Sequence, residues 1–324
     1  MTTSPEPRQF YPADLTVPDH VTDSLDDHGL AQESIRFLTD RIRSVTSAAT
    51  YDSPPAVMLS GGIDSMLLAA VAHSLDPDTV AVTVEIGHDT QDGDAARELA
   101  LTLGLNHVVA EVNDYQFREL LLDTVFELET IDAWEVGAGL VIRAGFDALD
   151  TELAKMYPDA DRHTPVFTGS GADVLFLGGD YSEGLDTPEA WGAAVRENIA
   201  AKFIYERAIP DFYERVLHDC ADRYINTWQV QEGVDLAFRA GPGSVRGGQQ
   251  IDKYAFRLAA REVGVPEDLA FSPEKNPLQE SSGFFDQVAR LARDMPPAAG
   301  FDPAWKRTTA PLHAIAAAMA EQIR

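Results

Sequence analysis

The chain has 324 residues, 45% of them apolar, with 53 acidic against 25 basic side chains and a net charge of −28. That length admits one large domain or two modest ones, and the acidic excess argues against a long nucleic-acid groove, which needs clustered Lys and Arg. No apolar run approaches the ~18 residues of a membrane span, the N-terminus lacks the basic and apolar regions of a signal peptide, and Cys220 is the sole cysteine. A disulfide framework and a thiolate metal cluster are thereby excluded, and a cytoplasmic protein without membrane or nucleic-acid partners is expected. Lysine is scarce, at Lys155, Lys202, Lys253, Lys275 and Lys306. An acidic, lysine-poor chain suits a high-salt cytoplasm, and a GC-rich genome accounts for the shortage equally well.

Residues 1–29 are polar and proline-marked and read as an N-terminal arm; residues 30–324 read as one α/β domain. Leu30, Ile35, Leu38, Ile42 and Val45 recur at helical spacing. Ala56 to Leu59 is a short apolar run that reads as a buried parallel strand. Ser60-Gly61-Gly62-Ile63-Asp64-Ser65 follows, and then apolar residues at helical spacing. Thr79–Ile86 is a second strand, Asp89–Asp94 an acidic loop, and Ala95–Leu103 a helix stopped by Gly104. Asn106–Val112 is a third strand. The β-α-β-α-β order predicts a parallel twisted sheet with helices on both faces. Tyr115–Leu128 reads as helix, a glycine-marked stretch runs to about Ile142, and Arg143–Met156 reads as another helix. Pro165–Thr168 is a short strand running into Gly169-Ser170-Gly171-Ala172-Asp173. Trp191–Ile204, Asp211–Tyr224 and Thr227–Phe238 predict a C-terminal helical layer. Ala240–Gly248, rich in glycine, reads as a mobile loop over the site. Ile251–Val263 is helical, Phe271–Gly283 is non-helical with Lys275 at its middle, and Phe284–Arg293 and Pro311–Ile323 read as closing helices.

The turn at residues 60–65 joins a strand to a helix N-terminus through two glycines, which makes an anion site of backbone N–H groups and helix dipole. Ser60 and Ser65 add hydroxyl donors. Asp64 would repel a phosphate unless a cation lay between them, which suggests Mg²⁺; an ordinary glycine turn capped by Asp64 or Ser65 is the plain alternative. Asp173 repeats the strand–glycine–acid pattern. Ligands of open parallel sheets sit at the carboxyl ends of strands, so the end of the second strand should lie beside the loop.

Residues 60–65 resemble the SGGxDS loop of the N-type ATP pyrophosphatases, a different device from the Walker loop. Gly169–Asp173 is similar to the G-x-G-[AS]-D segment, Glu129-Thr130-Ile131-Asp132 to the E-T-x-D, and Lys275 to Gly283 to the lysine loop of the synthetase domain of asparagine synthetase and its relatives β-lactam and carbapenam synthetase. The resemblance covers roughly residues 30–300. It implies an adenine nucleotide alpha hydrolase-like (HUP-type) fold and an ATP-dependent ligase that adenylates a carboxylate and forms an amide with ammonia or an amine, releasing AMP and pyrophosphate. By the same resemblance, Ser60, Gly61, Gly62, Asp64, Ser65, Gly169 and Gly171 would bind ATP, with adenine at the backbone near Val84 and Ile86. Asp64 and Asp173 would hold Mg²⁺, and Lys275, with Glu280 and Ser170, would serve catalysis.

Two departures bear on the substrate. Thr2 stands where glutamine-dependent members carry their nucleophilic cysteine, and the glutaminase domain is missing, so ammonia would come from a separate glutaminase subunit, or the nucleophile is an amine. Ser170 replaces a glutamate or tyrosine and is a weak base unaided; Glu135, Asp132 or Glu280 could substitute, or the amine arrives neutral. Val174 replaces the acid that often follows the metal aspartate. The expected partners are a small-molecule carboxylate and amine and a second copy of the chain. A base-modifying ATP pyrophosphatase and a nucleotide-binding subunit without turnover are the alternatives.

Overall fold

The computed structural model describes residues 15–47, 53–87, 90–158, 164–178, 183–204, 209, 211–247, 251–272 and 278–294. Its centre is a five-stranded sheet in the order β3-β2-β1-β4-β5, made of β1 (Ala56–Met58), β2 (Val80–Ile86), β3 (Asn106–Val112), β4 (Val166–Thr168) and β5 (Tyr224–Asn226). All pairings are parallel, with Val57 opposite Ala81 and Phe167 opposite Ile225. The chain walks outward from β1 to β3, then returns to place β4 on β1's other side. The order therefore reverses between β1 and β4, where open α/β sheets bind ligands at their strand ends.

The helices are α1 (Asp27–Ser47), α2 (Ile63–Leu75), α3 (Gln91–Leu103), α4 (Asp114–Leu128), α5 (Ala133–Met156), α6 (Ala172–Phe176), α7 (Pro188–Ile199), α8 (Phe212–Leu217), α9 (Gln231–Ala237), α10 (Pro242–Arg246), α11 (Tyr254–Glu262), α12 (Glu267–Ala270), α13 (Leu278–Ser281) and α14 (Phe284–Asp294). Alternate strand residues face opposite cores. Val57, Ala81, Phe167 and Ile225 join a core with α1, α2, α9 and α11, whereas Ala56, Val80, Val166 and Tyr224 join one with α5 and α8. This period-two division is what a sheet covered on both faces requires.

Local chemistry sets the helix ends. Thr90 caps α3 by accepting from the Gly93 amide, and Gly104 ends it in the left-handed region. Asn113 and Gln116 form a capping box on α4. Asp132 accepts from the Trp134 and Glu135 amides and so starts α5.

Five sequence expectations are corrected: the acidic stretch expected as a loop carries the first turn of α3 from Gln91, the expected non-helical stretch 271–283 carries α13, and three more concern α5, β5 and α10. The glycine-marked stretch to Ile142 and the helix after it are one continuous helix, α5. Its glycines serve close packing: a Cβ at Gly137 would lie 2.8 Å from Gln279 Cγ, and one at Gly145 2.8 Å from Met58 Cε. The end of the expected helix at Asp211–Tyr224 is a turn of 3₁₀ helix and then strand β5. The expected mobile loop at 240–248 contains α10, whose Pro242, Ser244, Val245 and Arg246 are buried. Within the N-terminal arm, Thr22 and Ser24 donate their amides to Phe238 and Arg239 carbonyls, so this part lies against the end of α9. The closing helix expected at 311–323 lies outside the described residues. Among the described residues, no helix is long and apolar enough to cross a membrane.

Candidate active site

A cavity of about 570 Å³ opens at the carboxyl ends of β1, β2 and β4, lined by the 58–66 turn, Val82–Val84, the start of α3, one face of α5 and residues 168–173. Its size suits a small-molecule ligand. A second cleft of about 480 Å³ lies between α1 and α9, and its Glu33 pairs with both Arg36 and Arg239.

The Ser60–Ser65 turn is tied within itself. Ser65 Oγ accepts from the Ser60 amide at 3.1 Å and donates to the Gly62 carbonyl at 2.9 Å. Gly61 has φ +67°, and a Cβ there would sit 3.0 Å from Ala95 and 3.2 Å from the Asp92 carbonyl. Glycine is required on both counts. Gly62 starts α2 with no side-chain cap, which leaves the helix N-terminus open to an anion. Gly169, after β4, allows the second loop to approach the first: a Cβ there would lie 3.2 Å from Asp64 Cβ and from the Ser65 amide nitrogen. Gly171, at φ +96°, starts α6 and presents Asp173 in its first turn.

Asp64 and Asp173 thus come together from two loops more than a hundred residues apart, and the lysine between them is Lys253. Its Nζ bonds Asp64 Oδ2 at 2.5 Å and also pairs with Asp173. The lysine side chain is 0% exposed, against 14% for Asp64 and 41% for Asp173. Burial alone would drive its proton off, but the Asp173 and Asp64 carboxylates outweigh burial and hold the ammonium charged well above the ordinary lysine range. Lys253 was read in the sequence only as part of a helical run. Its rarity was a usable signal, but nothing local tied it to a phosphate motif.

The described lining residues include the acids Asp64, Asp92, Asp94, Glu98 and Asp173 and no Lys or Arg. A polyphosphate could enter such a space only with a cation. Two hard carboxylates at the mouth of an anion-binding turn suit Mg²⁺, which takes one or two carboxylates and completes its shell with phosphates and water. Among the described residues, no group of three or more His, Cys, Asp or Glu could hold a metal alone, so the donor set fits a metal–nucleotide pair rather than a protein-only cage.

The remaining expected residues divide. Val84 lines the cavity; β1 ends opposite Val82, so the β1-facing edge of β2 opens there. Ile86 does not line it, because its amide donates to the Ser282 carbonyl at 2.8 Å and Gly283 packs over its own carbonyl. Ser170 lines the cavity, with its Oγ 3.2 Å from Tyr224 Oη. Glu280 lies on α13, outside the lining residues. Lys275 falls outside the described residues; Ser272 and Leu278, the described residues on either side, both line the cavity.

Two further residues escaped the sequence reading. Asp92, in the first turn of α3, is 7% exposed. Burial pushes its carboxyl up to about 7 against a hydrogen bond from Ser281 that favours the charged form. Arg257, buried on α11, donates to the carbonyls of Asp252, Ala270 and Ser272 at 2.7, 2.9 and 2.7 Å. It therefore ties the backbone beside Lys253 to the start of the late segment.

A parallel α/β sheet with a glycine turn, an open helix N-terminus and paired carboxylates at its switch point defines a nucleotide-binding protein. The asparagine synthase family model matches residues 42–232, and the chain belongs to that family. It is thus an ATP-using, amide-forming ligase of the PP-loop class. Among solved structures it is similar to NH3-dependent NAD synthetase from Campylobacter jejuni (18% identity, 57% of this chain and 80% of that one, TM-score 0.35). It is also similar to NMN synthetase from Francisella tularensis (16%, 86% and 100%, TM-score 0.33) and NAD+ synthetase from Burkholderia pseudomallei (16%, 86% and 93%, TM-score 0.32). No curated protein sequence matches it.

Proposed function

We propose that this protein adenylates a small-molecule carboxylate with ATP and passes the acyl group to ammonia or an amine, releasing AMP and pyrophosphate, in the cytoplasm. The observation that carries the reading is the meeting of Asp64 and Asp173 at the open N-terminus of α2. An anion-binding helix N-terminus flanked by two carboxylates supports a polyphosphate that arrives with its cation.

In this reading the amides of the 61–65 turn and the Ser60 and Ser65 hydroxyls bind the pyrophosphate end of ATP. Asp64 and Asp173 would hold Mg²⁺, which supplies charge neutralisation to the phosphates when bound. The carboxylate substrate attacks the α-phosphorus, the bond to the bridging oxygen breaks, and pyrophosphate leaves. Nitrogen then adds to the acyl carbon and gives up a proton to water, and AMP departs as the carbonyl re-forms. Lys275 would meet the charge developing at phosphorus, a role whose loss costs about 10²–10³ in rate. Ser170 and Tyr224 bring hydroxyls, and Ala138 and Ile142 apolar surface, to the lining of the same cavity, which suits a nitrogen nucleophile that arrives neutral. The strongly acidic composition speaks against a nucleic-acid substrate.

The test is pyrophosphate release from ATP and Mg²⁺ with a panel of carboxylic acids. Lys275→Ala should keep ATP binding and lose pyrophosphate release; undiminished release by that variant would remove the proposal.

A further inference from the structure

The cleft between α1 and α9, about 480 Å³ in volume, shares no lining residue with the active-site cavity among the described residues. One face of α1 makes one wall, and one face of α9 with Arg239 just beyond it makes the other. The Ser24 amide donates to the Arg239 carbonyl, and Glu33 pairs with the Arg239 guanidinium, so the start of α1 lies beside the end of α9. The charges are sorted along the cleft as a result. At this end Arg36 and Arg239 both pair with the one carboxylate of Glu33. Each guanidinium spends one nitrogen on it and keeps N–H donors for a second carboxylate. This local surplus of positive charge stands out in a chain of net charge −28. Toward the other end, Asp40, Asp235 and Glu232 line the walls with Arg41 the one guanidinium among them, and all three acids are exposed. Phe37 and Leu236 supply apolar surface in the same cleft. The Phe37 ring is held in place by stacking on Trp228, centroids 4.7 Å apart, which stacks in turn on Phe256 at 5.1 Å.

We infer that this cleft is a second binding site, for an elongated zwitterion: a free amino acid whose carboxylate and ammonium are separated by several methylenes. Its carboxylate meets Arg36 and Arg239, its ammonium meets the acids around Asp40 and Asp235, and its methylenes cover Phe37 and Leu236. A simple anion would satisfy one end and be repelled at the other, and a simple cation the reverse. An amino acid with both charges at one carbon is too short, because Arg36 and Asp40 are a full helical turn apart, about 6 Å along the axis. Exposed ion pairs are individually weak in water. Joined by a chain of the right length, the two ends act together, because binding at one raises the effective concentration at the other. Affinity should therefore depend on both charges and on the distance between them.

The experiment is calorimetric titration of the full chain, without ATP, by ε-aminocaproate, glycine, hexanoate and hexylamine. ε-Aminocaproate should bind as a single molecule per chain, at least tenfold more tightly than each of the other three. Arg239→Gln and Asp40→Asn, one at each end of the cleft and both outside the active-site cavity, should each weaken it at least tenfold while ATP binding stays as in the wild type. Asp40 is exposed and changes no core contact, so this variant keeps the test open if the arginine variant fails to fold. No binding of ε-aminocaproate overturns the inference, as does equal binding of glycine or of either single-charge analogue. Undiminished binding of ε-aminocaproate by Asp40→Asn also overturns it, because the ligand then lies elsewhere. None of these outcomes bears on the ligase reading, which stands or falls on pyrophosphate release.

Discussion

Ser170 and Tyr224, the first on the loop after β4 and the second opening β5, place their hydroxyls 3.2 Å apart at the cavity wall. The tyrosine ring is fixed by stacking on Tyr213, with centroids 4.3 Å apart, and on Phe146 at 6.3 Å. The base missing at position 170 thus has a tyrosine neighbour supplied by a different strand. Tyr224→Phe keeps the stack and removes one hydrogen bond, so stability should fall by only about 1 kcal/mol. ATP binding should be unchanged, while amide formed per pyrophosphate released should fall about tenfold or more. Calorimetric ATP titration and trapping of the acyl group by hydroxylamine check both halves.

Gly61→Ala should be far more damaging than its size suggests. Its φ of +67° and the nearby Ala95 and Asp92 atoms leave no relaxed place for a methyl group, at a cost of about 1–2 kcal/mol for the backbone alone. ATP affinity should drop at least tenfold while circular dichroism stays native. Unchanged affinity would remove the turn from the binding site.

Asp92 gives a pH dependence with a definite sign. Its carboxyl titrates near 3.8 in the unfolded chain and about 7 in the folded one. The folded state therefore binds the extra proton between those values, and stability falls as pH rises through that window, by up to about 1.4 kcal/mol per unit. Asp92→Asn should flatten this part of the melting-temperature profile between pH 4 and 7. A variant whose profile matches the wild type would show that Asp92 ionises normally.

Arg257→Lys should destabilise the fold by about 2–3 kcal/mol, because one ammonium cannot serve carbonyls of Asp252, Ala270 and Ser272 spread around a planar guanidinium. Urea denaturation measures the loss. Hydrogen exchange around Ala270 and Ser272 should quicken, since Arg257 holds both of their carbonyls.

What could be read in the sequence followed the reach of local signals. Strand β3 and the start of β1 matched the expectation to the residue, because apolar alternation and Gly104 act within a few positions. Asp64 and Asp173 each follow their own strand–glycine junction, a local signal, and the structure brings them to one lysine. Lys253 has no such signature: its role depends on α11 returning beneath both loops, a long-range fact. Strand β5, three residues long, was hidden by helical spacing on either side and is specified by its pairing with β4. At α5, the glycine-marked stretch set apart from the helix after it belongs to that helix, and its glycines are close-packing positions, where absent side chains let Met58, Gln279 and Phe284 approach. Tertiary packing overrode propensity there.

The central claim is that ATP is split between its α and β phosphates on the Ser60–Ser65 turn. The most direct measurement incubates the protein with ATP, Mg²⁺, hydroxylamine and a carboxylic-acid panel, and identifies the products by phosphorus NMR and the iron(III) colour of hydroxamates. The account predicts AMP and pyrophosphate in equal amounts with matching hydroxamate for at least one acid, all abolished in Asp64→Asn. ADP and inorganic phosphate as the products would contradict it.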